Sequence, residues 1–243
     1  MNRFTAFLTH LFISIIVVGI FLALTFFVWY PAPYFEVDGA NSVIGILAMV
    51  DVLLGPILTF IVFKPGKPRL KLDLGMIAAV QLTAFVYGAH VIFTERPGYV
   101  VHLVDSFLVV PTSAVDFSNA SYPELEVGLF TGPTLTYLRY RKEGESFEQM
   151  LARVSAAGDL STRTEFYEPY ENGVEDILAQ AMPASRILEK SEKDAAVLQK
   201  WLSEHNLDVS NLMYTRLTGK NKAMAMLLDA SSGEPLGAID VTS

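Results

Sequence analysis

The chain contains no cysteine, so neither a disulfide framework nor a thiolate metal site is open to it. Charge is missing from long stretches as well. Phe4 to Phe35 and Leu74 to Thr94 contain no Asp, Glu, Lys or Arg, and Gly39 to Phe63 contains only Asp51. Each run exceeds the roughly 20 residues that cross hydrocarbon as a helix. They predict three transmembrane helices at about 5–30, 42–63 and 73–94 within a membrane region 1–95, embedded in a lipid bilayer. An extracytoplasmic α+β domain with antiparallel strands is predicted over 96–243.

Enzyme motifs are absent too. There is no Walker loop, no G-x-S-x-G, no H-E-x-x-H and no zinc spacing, which leaves no catalytic set, metal site or cofactor to expect. His10 and His90 stand near opposite ends of their helices and cannot share a metal. His102 alternates within a predicted strand, and His205 sits at a helix C-terminus, where it complements the dipole. Glu165, Glu168, Glu171, Glu175 and Asp176 read as a solvated acidic face. Residues 96–243 hold 13 Lys+Arg against 21 Asp+Glu, which accounts for the whole net charge of −8 and argues against nucleic acid as a partner.

The first apolar run exceeds the 7–15 residues of a signal-peptide core and ends at Trp29-Tyr30 without a small-residue cleavage site, so it reads as an uncleaved anchor. The loop after the second run, "KPGKPRLK", holds Lys64, Lys67, Arg69 and Lys71, whereas "PAPYFEVDGA" after the first holds only acids. Basic short loops stay cytoplasmic. The expected topology is multi-pass with the N-terminus in the cytoplasm and residues 96–243 outside, which in a bacterium means the periplasm. In "VWYPAPYF", Trp29, Tyr30, Tyr34 and Phe35 flank two prolines and read as an aromatic belt at the outer boundary, with a binding lip as the alternative.

Within the exported part, "YVVHLV" and "FLVVP" predict a hairpin turning at Asp105-Ser106, and "EVGLF" a weaker third strand. Phe147, Met150, Leu151 and Val154 recur at helical spacing, with Gly158 as the stop. A second helix is predicted from Val174 to before Pro183, and a third after Ser191, with Asp194 completing a capping box. "NLMYTRL", "KAMAMLL" and "PLGAIDV" predict a three-stranded meander.

The membrane region carries the candidate site. Asp51 is an acid inside an apolar run, and such a group needs a partner, a water-filled cavity or a proton. Counted at 1.5 Å per residue, it lies roughly 18 Å in from Phe63, level with Thr83 and close to Gln81. Pro56, after Gly55, frees the carbonyl of Val52 and predicts a kink. Gly75, Ala79 and Thr83, together with Ala84 and Gly88, allow close helix approach, either within the bundle or with another protein's helix.

"RFTAFLTHLFIS", "FVWYPAPYF", "AMVDVLLGPILTFIVFKPGK" and "LDLGMIAAVQLTAFVYGAHVIFTERPGYVVHLVDSFLVV" together resemble the TfpX/TfpZ family of type IV pilin accessory proteins over roughly the first 110 residues. The resemblance implies an inner-membrane protein that assists or stabilises the major pilin in type IV pilus biogenesis without catalysis. Pilin is then the expected partner. A membrane enzyme modifying pilin, and an ion-coupled or sensory protein using Asp51, remain the alternatives.

Overall fold

The structure, a computed structural model, describes residues 2–141 and 144–241. The chain divides into two compact units. One holds the helices of residues 2–29 and 40–95, and the other combines Tyr30–Gly39 with the chain from Arg96 onward. The first helices in chain order are α1 (Arg3–Leu24), α2 (Tyr34–Asp38), α3 (Asn41–Ala48), α4 (Gly55–Val62) and α5 (Leu70–Thr94).

In the helical unit, the spans Arg3–Trp29, Asn41–Val62 and Leu70–Thr94 are long and apolar enough to cross a membrane. Asn2 caps α1 by accepting the Thr5 N–H at 2.8 Å. Two of the spans contain π-helical turns, Thr25–Trp29 and Met49–Leu54. Pro56 explains the second. It has no N–H to return to Val52, and the N–H of Gly55 reaches back five residues to the carbonyl of Val50, so the chain widens by one residue at Asp51. Where Pro56 predicts a kink, the structure has a π turn, a recognised site of helix bending. α1 and α5 both pack against α4, and rings seal the far end, with Phe21 5.3 Å from Phe85 and Trp29 5.2 Å from Phe93.

The second unit is built on a sheet. Its strands are β1 (Pro97–Leu103), β2 (Ser106–Pro111), β3 (Thr134–Leu138), β4 (Tyr167–Pro169), β5 (Met182–Pro183), β6 (Leu212–Thr218), β7 (Ala223–Asp229) and β8 (Pro235–Ile239). Among the described residues they form one eight-stranded sheet in the order β4-β3-β1-β2-β6-β7-β8, with β5 pairing the free stretch of β6. The predicted hairpin and meander are present. The sheet is mixed, however: β1 pairs β3 and β2 pairs β6 in parallel, so the expected antiparallel strands are only part of it. "EVGLF" forms no strand. Residues 134–138 supply the third strand instead.

Four further helices complete the unit, α6 (Phe147–Ala157), α7 (Val174–Gln180), α8 (Ser185–Lys190) and α9 (Glu192–His205). α6 starts at a capping box of Ser146 and Gln149, and α9 at Ser191, which accepts the Asp194 N–H. α8, just after Pro183, was not predicted. Strand alternation sends Val100, Phe107, Leu217 and Met226 to one face, under α7 and Tyr170. Leu212, Tyr214, Ala225 and Leu227 face the other way, under α8 and α9, and Tyr99, Val101 and Val110 meet Phe166 and Tyr167 further along that face.

The loop Tyr30–Gly39, predicted as part of the membrane region, packs as an integral piece of this sheet unit. Val37 is fully buried in the core with Phe107 and Leu217. Its carbonyl accepts the N–H groups of Asn221 and Lys222, Asp38 accepts the N–H of Lys220 at 2.8 Å, and Lys222 bridges Glu36 and Asp240, both at 2.9 Å. A Cβ on Gly219 would stand 2.6 Å from a Val37 methyl, so only glycine lets the turn close over it. One compact unit thus contains both the segment that follows the first span and the segment that follows the third.

Candidate functional site

The polar groups inside the helical unit converge at α4 and the π turn before it. Asp51 is 7 % exposed and faces the bundle interior. Gln81 on α5 reaches across to it, its Nε2 donating to the Asp51 carbonyl at 3.3 Å and to Oδ1 at 3.4 Å. Gly55, one turn beyond Asp51, makes room for this bridge, since a Cβ there would lie 1.9 Å from Gln81 Nε2. Nearer the N-terminal end of α1, His10 Nδ1 meets the buried hydroxyl of Thr59 at 2.6 Å, and Gln81 and Asp51 are the other polar groups acting on the same ring. All three spans thus contribute to one polar seam, His10 and Thr59, then Gln81, then Asp51. Among the described residues Asp51 Oδ2 and Gln81 Oε1 are buried with no hydrogen-bond partner.

The predicted residues separate into two groups. Asp51, Gly55, Pro56, Gln81 and Gly88 are buried within the helical unit, and Gly88 accommodates Leu47, whose Cδ1 would be 3.2 Å from an added Cβ. Gly75, Ala79 and Thr83 lie exposed on the outer face of α5, with open space beyond Gly75. Thr83 does not meet Asp51; its hydroxyl donates to the Ala79 carbonyl at 2.9 Å. The reason is helical phase. Gln81 and Thr83 are two residues apart, about 200° around the helix, so one facing Asp51 turns the other outward. The small-residue stripe therefore does not pack the three spans together.

Of the four predicted aromatics, Trp29 and Tyr30 are buried and Tyr34 and Phe35 are half-buried. Trp29 is stacked in the helical unit against Phe21 and Phe93. Tyr30 is buried in the sheet unit against Phe35, and burial pushes the Tyr34 phenol up to about 12. The part of His10 in the seam was missed by sequence reasoning. Its signal was depth: His10 lies roughly 10 Å beyond Arg3 and Thr59 roughly 6 Å inside Phe63, nearly the same level.

In the sheet unit Glu165, Glu168 and Asp176 of the predicted acidic face have partners, while Glu171 and Glu175 are exposed. Arg139 pairs with Glu168 and Arg163 with Glu165, at 2.8 and 2.9 Å, and Tyr137 donates to Asp176 at 2.7 Å. A cavity of about 800 Å³ lies beside them, lined by Tyr137, Arg139, Tyr140, Arg141, Glu145 and Asp176. His102 is buried between Phe107 and Tyr137, and among the described residues neither ring nitrogen has a hydrogen-bond partner. The described residues contain no cluster of His, Cys, Asp or Glu able to hold a metal ion.

Three apolar spans with a buried polar seam, followed by a mixed-sheet domain, define a membrane protein with a folded C-terminal domain. Comparison with known proteins adds the lineage. The family "Fimbrial assembly protein FimB" matches residues 1–39. The fimbrial assembly proteins of Dichelobacter nodosus serogroups E1 and I are each 28 % identical over 225 residues, covering 90 % of this chain and 87 % of the relative. That of serogroups C1 and C2 is 39 % identical over 104 residues, 42 % of this chain and 79 % of the relative. The chain belongs to this fimbrial assembly protein family. No solved structure matches it.

Proposed function

We propose that the protein is a non-enzymatic accessory factor of type IV pilus biogenesis, of the TfpX/TfpZ kind, which holds the major pilin in the inner membrane before assembly. The observation that carries this reading is the likeness to fimbrial assembly proteins along 90 % of the chain, spans and sheet domain together. The N-terminus and the Lys64 to Lys71 loop are cytoplasmic, and the sheet domain is periplasmic. Such a protein offers a pilin two surfaces at once, a membrane face for its apolar helix and a folded domain for its head.

The outer face of α5 suits the first task. Helix association in lipid gains little from the hydrophobic effect and relies on close packing at small residues and a few polar contacts. Gly75, Ala79 and Thr83 are free of intramolecular packing duty, and the seam ending in the unpartnered oxygen of Asp51 stiffens the bundle behind them. The deciding experiment is a deletion strain. Pilin should fall in steady-state level and surface pili should be lost, with pilin mass unchanged. Normal pilin and piliation would refute the proposal, and stable pilin of altered mass would make the protein a modifying enzyme.

A further inference from the structure

Inside the helical unit the hydrogen-bond inventory around Asp51 is one hydrogen short. Gln81 Nε2 donates to the Asp51 carbonyl at 3.3 Å and to Oδ1 at 3.4 Å, which accounts for both of its hydrogens. Asp51 Oδ2 and Gln81 Oε1 are left over, both buried and, among the described residues, without a partner. An ionised carboxylate and an amide oxygen can only accept, so neither can satisfy the other. Two such acceptors on one pair of touching side chains are uncommon, because each forfeits the hydrogen bond that water gave it.

The neighbouring groups supply no fixed opposite charge. Residues 4–35, 39–63 and 74–94 contain no Asp, Glu, Lys or Arg other than Asp51, and α3 and α4 have no titratable side chain at all. On the helices packed around the pair, Arg3, Lys71, Asp73, Tyr87 and His90 stand at least about 9 Å along the axis from His10 or Gln81. His10 is the one titratable group that acts on Asp51, and its Nδ1 is taken up by the Thr59 hydroxyl at 2.6 Å.

We propose that Asp51 and Gln81 form a proton-binding site, in which a proton on Asp51 Oδ2 is donated to Gln81 Oε1 and closes a two-bonded acid–amide ring between the second span and the third. The proton comes from water, the carboxylate becomes a carboxylic acid, and no other bond changes. One hydrogen thereby satisfies both leftover oxygens. It also removes the sole charge of residues 39–63, so this span crosses hydrocarbon without a counter-ion. The site is complete within one chain, so it stands or falls apart from any role with pilin.

Infrared spectroscopy of the full chain in lipid vesicles at neutral pH is the test, because exposed carboxylates are then ionised and absorb elsewhere. The carbonyl band of a protonated carboxylic acid should be present, should fall in frequency on exchange into heavy water, and should be lost in Asp51→Asn. Gln81→Leu should keep the band and move it to higher frequency, since the acid then has no amide oxygen to donate to; this variant gives the reading if Asp51→Asn does not fold. A wild-type spectrum without the band overturns the site and would make Asp51 an anion facing a protonated His10. A band that survives Asp51→Asn belongs to another carboxyl group and overturns it too, as does a band that Gln81→Leu fails to move.

Discussion

Acidification is expected to weaken the sheet domain through His102. The ring is 1 % exposed, between Phe107 and Tyr137, and burial pushes it down from 6.5 to about 4, against the weaker pull of Asp105 and Asp176. The unfolded chain therefore takes up a proton below pH 6.5 that the folded chain refuses until about pH 4. Stability is intact above the unfolded value and is lost as pH falls through this window, then changes no further on this account. The difference of about 2.5 pKa units corresponds to about 3.4 kcal/mol in full, of which about 2 kcal/mol is lost by pH 5. Urea unfolding of the full chain in mild detergent reads this as a fall in midpoint of about 1 M between pH 7 and pH 5, at a typical slope near 2 kcal/mol per molar. His102→Phe keeps the volume, cannot take up a proton and removes two buried nitrogens without partners. It should stabilise the domain at pH 7 by about 1 kcal/mol and raise the gap to wild type to about 3 kcal/mol at pH 5. A gap that stays constant from pH 7 to pH 5 would show that the imidazole is not held neutral by its surroundings.

Gly55→Ala should push Gln81 off Asp51 and cost the helical unit about 1 kcal/mol, the usual worth of an interhelical polar contact in a membrane; an unchanged melting temperature in detergent contradicts the bridge. Val37→Ala should destabilise the sheet domain by about 2 kcal/mol, the cost of two buried methyls and the space they leave. Hydrogen exchange should then accelerate at residues 219–222, and protection equal to wild type would mean the loop is not part of the core. Gly75→Leu with Ala79→Leu should leave insertion and melting unchanged, since both positions face outward, while reducing co-purification with pilin; loss of folding would instead assign the stripe to the bundle.

Much of this architecture could be read from local pattern. The spans follow from run length alone, and the β6-β7-β8 meander from alternation between turns rich in Gly, Ser and Asn. Asp51 and Gln81 could be paired because depth along a helix is a count. Depth cannot give the angle around it, and so Thr83, at nearly the same level, was an equal candidate. β3 was hidden for another reason. "TLTYL" is short and stands beside Pro133, and its place is set by parallel pairing with β1 over 30 residues away, whereas "EVGLF" has the stronger local look but spends Val127 on the Tyr99 hydroxyl. Val37 was invisible for the same reason in stronger form, since its partners are far along the chain.

That distance also sets a schedule. Asp38 and Lys220 are 182 residues apart, and at about 5–20 residues per second the ribosome needs roughly 10–35 s to supply the second after the first. During that interval Val37 and its neighbours have left the first span with no core to join. The sheet domain therefore cannot complete itself as a tail emerging after the membrane region, because residues 219–222 must be made before the segment around Val37 finds its place. A nascent chain halted short of β6 would display a hydrophobic hook with nothing to hold, a state that quality-control proteases can recognise and the finished protein never shows.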